Sequence, residues 1–72
     1  MKNAKIEIKP WLPTGTTVKY IGIYIDGELD TAYTPERFGD LERYAKFMRS
    51  IGYKVPDVSL MDLVKMLKEV DV

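Results

Sequence analysis

Seventy-two residues with no cysteine and no histidine, and eleven basic against eleven acidic side chains, leave room for one domain and for little chemistry. No thiolate or imidazole is present to hold a metal or act as general base, and the even charge argues against retention on nucleic acid by bulk positive charge. A chain this short buries only about 60% of its unfolded surface, so its core is marginal without good packing or a second subunit.

After a short N-terminal lead, residues 4–9 (AKIEIK) alternate cleanly. Ile6 and Ile8 point one way and Lys5, Glu7 and Lys9 the other, the pattern of a half-exposed edge strand. Pro10 and Pro13 then predict a loop, because proline cannot donate to a ladder. Within it Trp11 and Leu12 read as a cap on one end of the core, or as an exposed binding anchor.

Residues 18–25 (VKYIGIYI) have the strongest β character and organise the rest. Ile21, Ile23 and Ile25 share one face with Lys19, and Tyr20, Gly22 and Tyr24 share the other with Val18. Asp26-Gly27 marks a hairpin, with residues 28–33 as the return strand. Two registers compete. A two-residue type I′ turn pairs Ile25 with Glu28 and Ile23 with Asp30, setting carboxylates against the isoleucine row. A type I turn with a Gly27 bulge pairs Tyr24 with Glu28, Ile23 with Leu29 and Ile21 with Thr31. The second is preferred, since burying an unpartnered carboxylate costs roughly several kcal/mol. It gathers Ile21, Ile23, Leu29, Thr31 and Tyr33 on the core face and leaves Tyr20, Gly22, Tyr24, Glu28, Asp30 and Ala32 outside.

Thr34-Pro35-Glu36 reads as N-cap, first helical position and acid at the positive helix end. Gly39 weakens that turn, so the continuous helix starts there or at Asp40 and runs to about Ile51, with Gly52 as its stop. Phe38, Leu41, Tyr44, Ala45, Met48 and Ile51 form a broad apolar face flanked by Phe47. Glu42 and Lys46 are spaced for an ion pair. Ser59 to Asp62 matches a capping box, with Val58 and Leu63 as its hydrophobic staple, and opens a last helix over residues 60–70. Leu60, Leu63, Val64, Leu67 and Val70 make its apolar face. The expected architecture is α+β, a three-stranded antiparallel meander packed on two C-terminal helices (β-β-β-α-α) in a two-layer sandwich, with residues 1–72 as a single domain.

No motif rises to a catalytic or cofactor signature. Asp26, Glu28 and Asp30 alternate, but glycine falls at the wrong place for a calcium loop, and the two serines, Ser50 and Ser59, have no histidine to activate them. One strand followed by two helices invites comparison with ribbon-helix-helix DNA binders; the extra strand and hairpin depart from that pattern, and no family is assigned. The chain therefore reads as a non-enzymatic interaction or regulatory protein without cofactor or metal. It is expected to be a homodimer that binds an unidentified protein, and a viral or mobile-element origin falls within this reading. Surfaces put forward for partners are Trp11, the pair Tyr20 and Tyr24, and a basic ridge of Arg43, Lys46 and Arg49. The alternative is a nucleic-acid-binding accessory protein that uses the tyrosine face, by base stacking, or the ridge, by phosphate contact. No apolar run approaches membrane-spanning length and no signal peptide is apparent, so a cytoplasmic location is expected. Asn3 is the sole side-chain amide among abundant charge, which suggests a thermophile.

Overall fold

The structure, a computed structural model, describes residues 3–15 and 17–69. It is the expected α+β fold: β1 (Ile6–Trp11), β2 (Tyr20–Ile25) and β3 (Glu28–Tyr33) form an antiparallel sheet in sequence order, followed by a 3-10 turn at Pro35–Arg37, α1 (Phe38–Ser50) and α2 (Leu60–Glu69). Val70, expected to end the last helix, lies outside the described residues.

The isoleucine row is the core. Ile6, Ile8, Ile21 and Ile23 are buried with Tyr33 beneath Phe38, Leu41 and Met48 of α1 and Leu63 of α2. No polar or charged residue is buried among the described residues. Full burial of one such aliphatic side chain is worth about 1.5–3 kcal/mol, so the row dominates the stability of so small a domain.

β1 runs two residues further than expected, through Pro10 to Trp11. The Asp26 amide donates to the Lys5 carbonyl at 2.8 Å. With Ile6 opposite Ile25 and Pro10 opposite Ile21, ladder bonds alternate so that Lys5, Glu7, Lys9 and Trp11 make them and Ile6, Ile8 and Pro10 do not. Proline thus stands where its missing N–H would point away from the sheet, at an edge that has no further strand to pair with. Trp11 is therefore a strand residue on the sheet's outer face and caps no part of the core.

The hairpin differs from both expected registers. Asp26 (φ 52°) and Gly27 (φ 85°) both adopt left-handed backbone, as a two-residue type I′ turn requires, and Ile25 pairs with Glu28 and Tyr24 with Leu29. A bulge then shifts the register, so Ile23 faces Thr31 rather than Asp30 and Ile21 faces Tyr33. The acid that would have entered the isoleucine row is the residue left over. This corrects the placement of three side chains. Leu29 lies on the outer face beside Tyr24, Glu28 lies at the end of the core face, and Asp30 reaches α1, where its carboxylate accepts the Tyr44 hydroxyl proton at 2.7 Å.

The end of α1 and the start of α2 obey local rules, whereas the start of α1 does not. After α1, Gly52 takes φ 105°, its amide donates to Arg49 O and the Tyr53 amide to Met48 O, the two bonds of a Schellman stop. Before α1, Thr34 has extended backbone but its side chain makes no cap bond. Asp40, rather than the expected Glu42–Lys46 pair, organises the charges here, meeting Arg37 at 3.3 Å and Arg43 at 3.9 Å. The α2 capping box closes as expected: the Asp62 amide donates to Ser59 Oγ and the Ser59 amide to Asp62 Oδ2. Val58 and Leu63 both join the core.

Ile23→Asp sets an unpaired carboxylate where no solvent reaches and is expected to abolish the cooperative thermal transition seen by circular dichroism; a folded variant would place this row on the wrong face. The amide and hydroxyl of Ser59 hold the Asp62 carboxyl below its ordinary value of 3.8. A depressed carboxyl stabilises the fold at pH above its unfolded value, and that stabilisation disappears as pH falls through the folded value. Asp62→Asn should therefore flatten the acid limb of the stability profile in pH-dependent thermal melts, and an unchanged limb would show that the box does not act in solution.

Candidate functional site

With both helices on the isoleucine side, strand alternation leaves the other sheet face uncovered by any helix. β1 contributes Glu7, Lys9 and Trp11 to it, and β2 contributes Tyr24, Gly22 and Tyr20 directly opposite. β3 adds Leu29 beside Tyr24 and Ala32 beside Gly22. Trp11 and Tyr20 pack as a tilted pair, ring centroids 5.3 Å apart and planes at 55°. Lys9 Nζ lies 4.5 Å from the centre of the Tyr24 ring and 3.9 Å from a Glu7 carboxylate oxygen. Each aromatic ring on this face remains partly exposed.

Gly22 is buried at the centre of this layer. A Cβ placed there would meet Leu29 Cδ1 at 2.6 Å, Tyr24 Cε1 at 3.1 Å and Trp11 Cβ at 3.5 Å. The glycine lets its neighbours close over the strand, so the surface is a floor of aromatic rings joined by the Leu29 side chain.

The basic ridge lies on the other side of the molecule, on the helix layer. Arg43 is exposed and pairs loosely with Asp40. Lys46 is exposed. Arg49 is turned inward to the connector between the helices, donating to Val55 O at 3.3 Å and Pro56 O at 2.8 Å, with Asp57 at 3.9 Å. These bonds give Arg49 a structural role in addition to its charge. They also border a hollow of about 90 Å³ lined by Leu41, Ala45 and Val58. The fold thus brings Trp11, Tyr20 and Tyr24 together, and sets Arg43, Lys46 and Arg49 apart from them.

A third surface was missed from sequence. The apolar residues of α2 span about 220° of its circumference at 100° per residue. Leu63 is buried and Met66 and Leu67 partly so, while Leu60, Val64 and Met61 turn outward, Met61 80% exposed. With Pro35, Phe38 and Lys68 they line an apolar cleft of about 500 Å³. The signal was present in the width of that stripe, more than one sheet contact can use. On α1, Phe47 stacks on Tyr44 with centroids 6.4 Å apart and is itself exposed.

Among the described residues no group of three or more Cys, Asp or Glu side chains is placed to hold a metal, and no helix is long and apolar enough to cross a membrane. Comparison with known proteins finds no matching family model, no matching curated protein and no matching solved structure.

The Tyr44 hydroxyl is pushed up to about 12, first by its hydrogen bond to Asp30 and then by burial. A raised phenol contributes stability in full below its unfolded value near 10, and that contribution is lost as pH rises toward 12. Ultraviolet titration should show one of the five tyrosines ionising late, and Tyr44→Phe should remove that late step and blunt the loss of stability between pH 10 and 12. A late step that persists in Tyr44→Phe would assign it elsewhere.

Proposed function

We propose that this chain is a small non-enzymatic interaction protein that acts as a homodimer, joined through the outward side of α2. The observation that carries this reading is an exposed apolar patch on α2 with no cover among the described residues. Met61, the most exposed large apolar side chain among them, lines an open apolar cleft together with Pro35, Phe38, Leu60 and Val64. A two-fold contact sets one patch against its own copy, and a patch of uniform apolar chemistry can serve both sides of it. Methionine is well suited to the part, because its flexible thioether adapts to an irregular apolar hollow.

The core supports the same reading. Ten hydrophobic residues are buried among the described residues, few for a domain with no cysteine to staple it, and a second copy would extend that core across α2. Lys68 on the cleft's rim can keep its ammonium in water while its stem covers the apolar edge. The composition suits a cytoplasmic protein, and its scarcity of side-chain amides amid abundant charge suits a thermophile. Dimerisation through α2 leaves the aromatic sheet face free for another partner.

Light scattering at micromolar concentration should give about twice the mass of one chain, and Met61→Glu should give the mass of one chain with the fold retained. A wild-type chain that stays monomeric, or a Met61→Glu chain that stays dimeric, would refute the α2 interface.

A further inference from the structure

We infer that the uncovered sheet face binds an unpaired nucleic-acid strand, with bases stacked on Trp11, Tyr20 and Tyr24 and phosphates met by Lys5 and Lys9. This goes beyond the α2 dimer and does not depend on it.

The inference rests on the hairpin register. Were Glu28 and Asp30 on the aromatic face, as the sequence alone suggests, they would repel phosphate. The type I′ turn sets Glu28 opposite Ile25 on the other side of the sheet, and the bulge hands Asp30 to the Tyr44 hydroxyl. Of the described strand residues on the aromatic face, Glu7 is then the one acid, and it is already 3.9 Å from Lys9; Asp26 in the turn stands at the Lys5 end, its carboxylate accepting the Lys5 amide at 2.9 Å. Lys5, just before β1, and Lys9 stand on the same face with Glu7 between them, about 13 Å apart at the rise of an extended strand. Tyr20 and Tyr24 have the same spacing on β2. The lysines and Trp11 on the β1 side thus lie alongside the tyrosines of β2, with Glu7 between the two cations, an arrangement that can track a backbone while stacking its bases.

Two details favour a nucleic acid over a protein partner. Lys9 lies at the centre of the patch, directly opposite Gly22, whereas the cores of protein interfaces are depleted in charge. Its contacts are also readily exchanged. The side chain is half exposed, and a surface ion pair at 3.9 Å is worth little, so the ammonium can leave the Tyr24 ring for a phosphate and free that ring face for a base. Partly exposed rings set on a sheet present π-faces that unpaired, splayed bases can reach and the stacked bases of a duplex cannot.

Trp11 is the only tryptophan, so its emission reports on this face directly. The full chain is titrated at low salt with oligo(dT), oligo(U) and a DNA duplex, following Trp11 quenching and the anisotropy of the labelled strand. Both single strands are expected to quench Trp11, the duplex to bind more weakly, and any difference between oligo(dT) and oligo(U) to tell which strand is preferred. Two neutralised phosphates give a log–log salt slope of about −1.4, and Lys9→Ala should bring it to about −0.7. Tyr24→Ala should weaken binding by about fivefold or more, the loss of one stacked base. Arg43→Ala with Lys46→Ala, on the helix side, should change neither. Absence of quenching with every probe overturns the inference. So does binding lost in the Arg43/Lys46 variant but kept in Lys9→Ala and Tyr24→Ala. A Trp11 emission shift that follows protein concentration alone also overturns it, by assigning the face to a second copy. Met61→Glu should bind as wild type does, which separates failure here from failure of the dimer.

Discussion

Burial of one row of isoleucines governs this molecule. β2 is the central strand, so Ile21 and Ile23 have neighbours on both sides as well as helices above, and neither exposes any surface. Ile6 and Ile8 extend the row onto β1 and Tyr33 onto β3. Each helix contributes what the row requires, α1 through Phe38, Leu41, Ala45 and Met48 and α2 chiefly through Leu63. Because side chains alternate along a strand, committing the isoleucines to the interior also commits Trp11, Tyr20 and Tyr24 to the outside. The candidate surface is the geometrical complement of the core.

The bulge in β3 reconciles two demands that conflict in the sequence. Asp26-Gly27 is suited to a two-residue turn with left-handed backbone at both positions, and that turn would bring Asp30 against Ile23. The isoleucine row cannot accept a carboxylate. One extra residue on β3 satisfies both: the turn keeps its preferred geometry, the row receives Thr31 and Tyr33, and Asp30 gains a hydroxyl donor on α1. The turn itself, by pairing Ile25 with Glu28, keeps that acid off the aromatic face.

Much of the fold was legible because its signals were local and agreed with one another. Alternation in residues 20–25, the Asp-Gly turn, Gly52 as helix stop and the Ser59–Asp62 box each depend on neighbours in the chain, and each appears in the structure, whereas Val18 and Lys19, expected in the same strand, precede β2. What was not legible depended on long-range pairing. Pro10 is harmless in β1 only because the register against β2 turns its missing N–H outward, and no local rule contains that register. Local rules put Leu29 in the core because they set the bulge at Gly27, whereas it falls further along β3. Of the candidate sites, the alignment of Tyr20 with Tyr24 followed from periodicity, whereas the addition of Trp11 and Lys9 to them required the β1–β2 register. The engagement of Arg49 with Val55 and Pro56 required the path of the connector.

The most direct test is a set of nuclear Overhauser contacts from the Ile21 and Ile23 methyl groups in solution. They should run to side chains of Leu41, Met48 and Leu63, while the Trp11 and Tyr20 ring protons show contacts to each other and none to the helices. Isoleucine methyls in contact with the Trp11, Tyr20 or Tyr24 rings, or those rings in contact with α1 or α2, would contradict the assignment of faces on which every proposed surface depends.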